Sequence, residues 1–266
     1  MSTDDAELAS LVAPLREAPD ATVLAFDFDG TLAAVVDDPA AAVPIPGVPA
    51  LLDELAGRYR RVVAISGRPV GFLARHLPGT VALSGLYGLE SLVDGVVADH
   101  PDAAAWRPVV HEAASEAEQV SAPGAPLDGM LVEPKGLSLT LHVRTRPELE
   151  PAAVELARSL AERLGLEARP AKRSVELHPP IEVDKGTALR EQIEAVEASA
   201  ALFAGDDLGD LRAVEALGHL ADVGTLRAAV AVAVGGPELP TALADRAALV
   251  LPGPDAVPAL LRALLA

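Results

Sequence analysis

The sequence predicts an α/β protein: an open parallel-sheet core interrupted by a smaller inserted α+β domain. Three observations predict it. Short unbroken apolar runs, such as Val23-Leu24-Ala25-Phe26 and Val62-Val63-Ala64-Ile65, read as strands buried on both faces. These runs alternate with helical periodicity at both ends of the chain. Between them the pattern changes to helix–strand–strand, twice over, with strands that alternate apolar and polar residues. The expected division is a core of 1–101 and 181–266 and an insert of 102–180.

Taken in order, Leu8, Leu11 and Leu15 predict a helix over 5–17, before a strand at 22–27. The Ala- and Val-rich stretch 32–43 runs into Pro44 and Pro46 and predicts an irregular flap. Leu51, Leu52 and Leu55 share one face of a helix at 47–58. A strand at 61–65, a short helix near 69–77 and a strand near 80–84 follow. Asp94-Gly95 between Leu92-Val93 and Val96-Val97 predicts a hairpin with a two-residue turn. The insert then reads as helix 103–118, a strand pair, helix 149–164 with Leu156, Leu160 and Leu164 on one face, and a second strand pair. Alternation resumes with helix 185–196, strand 200–204, helix 208–217, strands 229–234 and 247–251, and helix 254–265.

Half of the 266 residues are apolar, enough for a sizeable core. With no cysteine, disulfides, thiolate metal sites and cysteine nucleophiles are excluded. The acidic start differs from the basic start of a signal peptide, and no apolar run approaches a membrane span of about 18 residues. The expectation is a soluble, cytoplasmic protein. A net charge of −18 disfavours nucleic acid and anionic lipid as partners and would repel a phosphorylated ligand at long range. Phosphate chemistry would therefore need a local cation. Among 21 basic residues the lysines are only Lys135, Lys172 and Lys185, which marks each as a candidate for a role that arginine cannot fill.

The strand at 22–27 leads into Asp27-Phe28-Asp29-Gly30-Thr31. Gly30 places the acids at the C-terminal end of the strand, where ligands bind in open α/β sheets. Asp27 and Asp29, two apart, project from one side of an extended chain. Such a pair serves as a metal site, an acid/base pair, or both. Three more pieces follow at strand ends or helix starts: Ser66-Gly67-Arg68, Lys185 after Asp184, and Gly205-Asp206-Asp207-Leu208-Gly209-Asp210. Together they suit phosphoryl transfer. Asp27 is the candidate nucleophile and metal ligand, and Asp29 the general acid and then base. Ser66 and Lys185 would hold the phosphoryl oxygens. Asp206 would complete a site for Mg²⁺, with Asp207 or Asp210 as further ligand or support. In the insert, Ser138, Thr140, His142 and Arg144 share one face with Ser174, Glu176 and His178. That face predicts an open polar surface, either merely solvated or a lid turned to the acidic site and a hydroxyl-rich ligand.

The set Asp27-Phe-Asp-Gly-Thr-Leu32, Ser66-Gly-Arg68, Lys185 and Gly205-Asp-Asp207 resembles the haloacid dehalogenase superfamily of phosphatases. Gly85-Leu-Tyr-Gly-Leu-Glu90, the stretch Glu133–Arg144, Val175-Glu-Leu-His-Pro-Pro180 and Asp184-Lys-Gly-Thr-Ala-Leu189 are similar to the trehalose-6-phosphate phosphatases within it. The resemblance implies a Rossmann-like parallel-sheet core with an αββαββ cap that closes over it. It also implies Mg²⁺-dependent hydrolysis of trehalose 6-phosphate through an aspartyl-phosphate, by a monomer or small homo-oligomer. By the same resemblance Thr31 joins the catalytic set, the metal ligands are Asp27, Asp29, Asp206, Asp207 and Asp210, and Gly67, Arg68, Glu133, Lys135, Glu176 and His178 contact substrate. The sequence departs from the family pattern at Tyr87, usually His, at His178, usually Arg or Lys, and at Gly209, usually Thr. Another sugar phosphate, of the sucrose or mannosylglycerate type, keeps the chemistry and changes the substrate. A receiver domain would be about half this length and lack the insert. A non-catalytic sugar-phosphate sensor would have no use for the Asp27/Asp29 pair.

Overall fold

The computed structural model describes residues 3–36, 38–171, 173–236 and 239–266. It divides into two compact units, one of Met1–Ala98 with Val183–Ala266 and one of Asp99–Glu182. Lys172, singled out above for its rarity, lies outside the described residues.

The first unit opens with α1 (Thr3–Arg16), β1 (Thr22–Phe26), α2 (Val48–Ala56), β2 (Arg61–Ile65), α3 (Val70–Leu73), β3 (Ala82–Gly85), β4 (Glu90–Val93) and β5 (Val96–Asp99). Among its described residues, the stretch expected to be irregular, before α2, holds a 3₁₀ turn at Pro39–Ala41 and isolated bridges from Ala33 to Asp29 and to Pro44. The helix expected over 69–77 is regular only through Leu73, after which bonds to Leu73 O from both His76 and Leu77 mark an irregular turn. Asp94 and Gly95 both have positive φ, 52° and 78°, as the two-residue hairpin turn demands.

The second unit contains α4 (Arg107–Ser121), β6 (Leu131–Pro134), β7 (Leu139–His142), α5 (Glu150–Leu164), β8 (Glu167–Ala171) and β9 (Ser174–His178). Its four strands pair antiparallel in the order β6-β7-β9-β8. Leu139, Leu141, Val175 and Leu177 alternate onto one face and pack with Val110, Ala114, Ala157 and Leu160 of the two helices. The opposite face is polar, with His142, Arg144 and Ser174 half-buried on it. Ser138, Thr140, Glu176 and His178 are all buried, contrary to the exposure that strand alternation alone suggests.

The chain returns to the first unit with α6 (Lys185–Glu194), β10 (Ala200–Gly205), α7 (Asp210–Asp222), β11 (Ala228–Val234), the one-turn α8 (Thr241–Ala244), β12 (Leu249–Leu251) and α9 (Val257–Leu265). The sheet order is β12-β11-β10-β1-β2-β3-β4-β5, parallel from β12 through β3 and antiparallel between β3 and β4. Alternation along the central strands explains the two layers of helices. Leu24, Phe26, Leu202 and Ala204 pack with α1, α2 and α9, while Val23, Ala25, Ala201 and Phe203 pack with α6 and α7. Both faces are thus covered, which is why these strands read as continuous apolar runs. Truncating a fully buried side chain such as Phe203 to alanine would cost about 3–5 kcal/mol.

Candidate active site

β1 lies between β10 and β2, so Asp27, Asp206 and Ser66 follow the C-terminal ends of three adjacent parallel strands. Asp27 N–H donates to Ala204 O at 2.9 Å, carrying the ladder one step beyond β1 and holding Asp27 against β10. The chain then turns sharply at Gly30, which has φ +86°. A β-carbon there would fall 2.1 Å from Asp206 Oδ2, so both the turn and the approach of Asp206 require glycine. Thr31 Oγ1 donates to Asp206 Oδ1 at 3.2 Å.

Lys185 owes its position to a helix cap. Asp184 accepts the amides of Gly186 and Thr187 at 2.8 Å each, and Thr187 Oγ1 accepts the Asp184 amide. Lys185 is therefore the first residue of α6, and its ammonium enters the acidic site. It stands 2.8 Å from Asp27 Oδ1, 2.7 Å from Asp210 Oδ1 and 3.7 Å from Asp207 Oδ1. Asp210, fully buried, also braces the loop. Its Oδ2 accepts the amides of Asp206 at 2.8 Å and Asp207 at 2.9 Å.

Asp27, Asp206 and Asp210 each present one oxygen within 4.8 Å of the others, an arrangement that could hold a metal ion. Burial and the Asp210 charge push Asp27 well above the usual carboxylate range, against the pull of Lys185. Burial with Asp210 and Asp207 pushes Asp206 up to about 7. Burial with Asp207 pushes Asp210 up to about 6. Against the cost of burial, Lys185 and Asp210 hold Asp207 low. Burial also disfavours the charged Lys185, but Asp210 and Asp27 outweigh it and raise the ammonium well above its ordinary value. The cluster thus carries more negative charge than one lysine neutralises.

Asp29 is not brought to that group. Its carboxylate meets Arg68 on both oxygens, Nε at 2.7 Å and the second fork nitrogen at 2.7 Å. Asp207, also expected as a ligand, stands beside the three, with its Oδ1 accepting the Asp210 amide at 3.0 Å. Ser66 is buried and its Oγ accepts the Arg68 amide at 3.1 Å. Glu90, which no local pattern marks for a role, has a buried carboxylate that accepts the Val70 amide at 3.1 Å and ties β4 to the turn after Arg68. Its place in the Gly85–Glu90 motif was the only available signal.

In the second unit the polar face holds a connected cluster. Lys135 Nζ lies 3.4 Å from Glu176 Oε1 and 4.0 Å from Glu133 Oε2. Ser138 Oγ donates to Glu176 at 2.8 Å, and His142 Nε2 pairs with Glu133 at 2.8 Å. Strand alternation places Ser138 and His142 only on the polar face; register brings them to the charged pair. His178 Nδ1 lies 2.8 Å from Pro179 O. Burial and nearby Arg169 push its imidazole below the ordinary value.

The trehalose-phosphatase family model matches residues 25–236. The trehalose-phosphate phosphatase of Mycobacterium ulcerans (strain Agy99) is 34% identical over 202 residues, 73% of this chain and 50% of that protein. That of Mycobacterium leprae (strain TN) is 33% identical over 213 residues, 75% of this chain and 48% of that protein. The chain belongs to the trehalose-phosphatase family. It spans about half the length of the curated relatives it matches.

Solved structures agree at the level of fold. A trehalose-6-phosphate phosphatase related protein superposes with a TM-score of 0.74 at 21% identity, covering 91% of this chain and 95% of the other. The C-terminal domain of trehalose-6-phosphate phosphatase from C. albicans gives 0.71 at 24%, covering 96% and 94%. A haloacid dehalogenase-like hydrolase from Bacteroides thetaiotaomicron gives 0.61 at 16%, covering 92% and 98%. At the positions where the sequence departs from the trehalose-phosphatase pattern, the structure shows what the substitutes do. Tyr87, at φ 61°, sets its hydroxyl against Gly67, where a β-carbon would be 2.6 Å away. At Gly209 a β-carbon would stand 3.2 Å from Asp207 Oδ1, so the glycine gives the acidic loop room.

Proposed function

We propose that the chain hydrolyses trehalose 6-phosphate to trehalose and phosphate through an aspartyl-phosphate on Asp27. The observation that carries this reading is the buried Asp27 carboxylate at the end of the central strand, facing Lys185 at 2.8 Å. Asp27 attacks phosphorus as the ester bond breaks, and Asp29, an ion-paired carboxylate that must first take a proton from solvent, gives that proton to the leaving sugar oxygen. Asp29 then takes a proton from the water that cleaves the acyl phosphate. Lys185 and Ser66 hold the phosphoryl oxygens, with Thr31 steadying Asp206 and Gly67 leaving room for the Tyr87 hydroxyl beside them.

The donor set fits a hard divalent cation: carboxylate oxygens only, from Asp27, Asp206 and Asp210, with burial and then the neighbouring carboxylates raising Asp206 and Asp27. Bound there, Mg²⁺ would neutralise the phosphoryl group's charge. In the second unit, Glu133, Lys135 and Glu176 are the proposed contacts to sugar hydroxyls, with His178 as a neighbour on the same face.

The test is phosphate release from a panel of sugar phosphates with Mg²⁺ and with EDTA. EDTA-sensitive selectivity for trehalose 6-phosphate supports the whole reading. Broad, weak activity would keep the chemistry and sink the substrate. No release from any ester would sink the reaction.

A further inference from the structure

The ion pair between Asp29 and Arg68 has an asymmetry that bears on the acid/base step. Arg68 is the fixed member, its side chain 11% exposed against 34% for Asp29. Three contacts fix it. Its amide donates to Ser66 Oγ at 3.1 Å, its carbonyl accepts the Leu86 amide at 3.1 Å, and its guanidinium stacks 4.5 Å over the Phe72 ring. Phe72 in turn meets the ring of Phe28 edge-on at 5.7 Å, and Phe28 is the buried residue between the two aspartates. One aromatic ring therefore supports both partners of the pair: Arg68 directly, and Asp29 through the backbone of Phe28.

A carboxylate on a turn after a strand has free rotation about two bonds unless something holds it. Both fork nitrogens at 2.7 Å leave Asp29 one orientation. An arginine engaged in this way at both ends is poorly disposed to a phosphoryl group, although sequence analysis grouped it with the substrate contacts.

We propose that Arg68, propped by Phe72, is a positioning residue: it acts through Asp29, setting where the proton-transfer carboxylate stands, rather than by contacting substrate. This rests on Asp29 being the general acid, so the experiment separates the two claims. A sugar alkoxide needs a proton to leave, whereas p-nitrophenolate does not. Single-turnover release of the leaving group isolates the step that uses the acid.

Arg68→Gln is expected to slow sugar release from trehalose 6-phosphate by about 10- to 100-fold, because misplacing a reacting group by an ångström has that effect. Release from p-nitrophenyl phosphate should slow by less than about threefold. In an Asp29→Asn background, Arg68→Gln should change the sugar rate by less than about threefold, because residues acting as one unit are not additive. Equal losses on both esters, or losses that multiply with Asp29→Asn, would overturn the inference. If Asp29→Asn alone slows both esters equally, the acid assignment falls, while the coupling still reports whether Arg68 acts through Asp29. Should Arg68→Gln not fold, Phe72→Leu removes the stack and no polar group. It should show the same preference for the sugar ester at about two- to fivefold, and an equal loss on both esters would again overturn the inference.

Discussion

The Lys185 ammonium lies 2.8 Å from Asp27 Oδ1, with both side chains almost fully buried. Neither charge could stand there alone, and Asp210 Oδ1 at 2.7 Å makes the lysine the shared counter-ion of two carboxylates. Removing it should therefore have two effects at once. Lys185→Met should abolish turnover and destabilise the fold by about 3–5 kcal/mol, read by urea titration, because two buried carboxylates lose their partner. A variant of unchanged stability would show that the lysine is not the counter-ion.

Asp27→Asn should behave in the opposite way on stability. Burial and Asp210 already disfavour the ionised Asp27, and a neutral amide of the same shape relieves that. Turnover should fall about 10³-fold or more with stability equal to or above that of the parent. Residual turnover above about one per cent would remove Asp27 from the role of nucleophile.

The raised carboxylates set a pH dependence for the metal-free protein. Asp206 is pushed to about 7 and Asp210 to about 6, both above their unfolded value of 3.8. A carboxyl with a raised folded pKa contributes stability below its unfolded pKa, and that contribution is lost as pH rises through the folded value. Stability in EDTA should thus decline between about pH 4 and 7. Asp207, held low, titrates below this window and does not oppose the decline. Excess Mg²⁺ should flatten the slope, since a bound cation replaces the protons. Thermal unfolding across that range, with EDTA and with Mg²⁺, is the check; identical slopes would argue against a cation at these carboxylates.

Gly30→Ala should damage the site more than the fold. The left-handed backbone costs about 1–2 kcal/mol, but the added carbon would also displace Asp206, whose carboxylate lies 2.1–2.4 Å from it. Activity should fall about 100-fold, with weaker Mg²⁺ dependence. Near-parental kinetics would mean that Asp206 has no fixed place in the chemistry.

Lys135→Ala and Glu176→Gln test the second unit. Each takes a charged partner from the cluster around Glu176. KM for the disaccharide phosphate should rise about 10-fold or more, the worth of a hydrogen bond to a charged group, with a smaller change for a small phosphate ester. Equal changes for both substrates would sink the sugar-contact assignment.

Much of this protein is carried by local pattern. The apolar runs around Val23 and Ala201 identify strands because both faces of those strands are covered, and burial on both faces needs no partner to be legible. Asp94-Gly95 identifies its hairpin because only such residues take two positive φ values cheaply. Asp184 and Thr187 identify the start of α6, and with it the entry of Lys185. Strand ends and helix starts are short-range events, so local pattern alone places these residues at the C-terminal edge of the sheet.

Which of those side chains meet was decided only by tertiary structure. Thr31 reaches Asp206 across 175 residues, and Arg68 reaches Asp29 across 39. Spacing placed Asp27 and Asp29 side by side, yet the structure sends one to Lys185 and the other to Arg68. In the second unit, alternation marked a polar face, but could not say that Ser138 and Thr140 are buried on it or that burial and Arg169 lower the His178 imidazole. The physical reason is the same throughout. Period and propensity act between neighbours along the chain, whereas the partners of a charge and the water around it depend on strands and helices that arrive from elsewhere in the sequence.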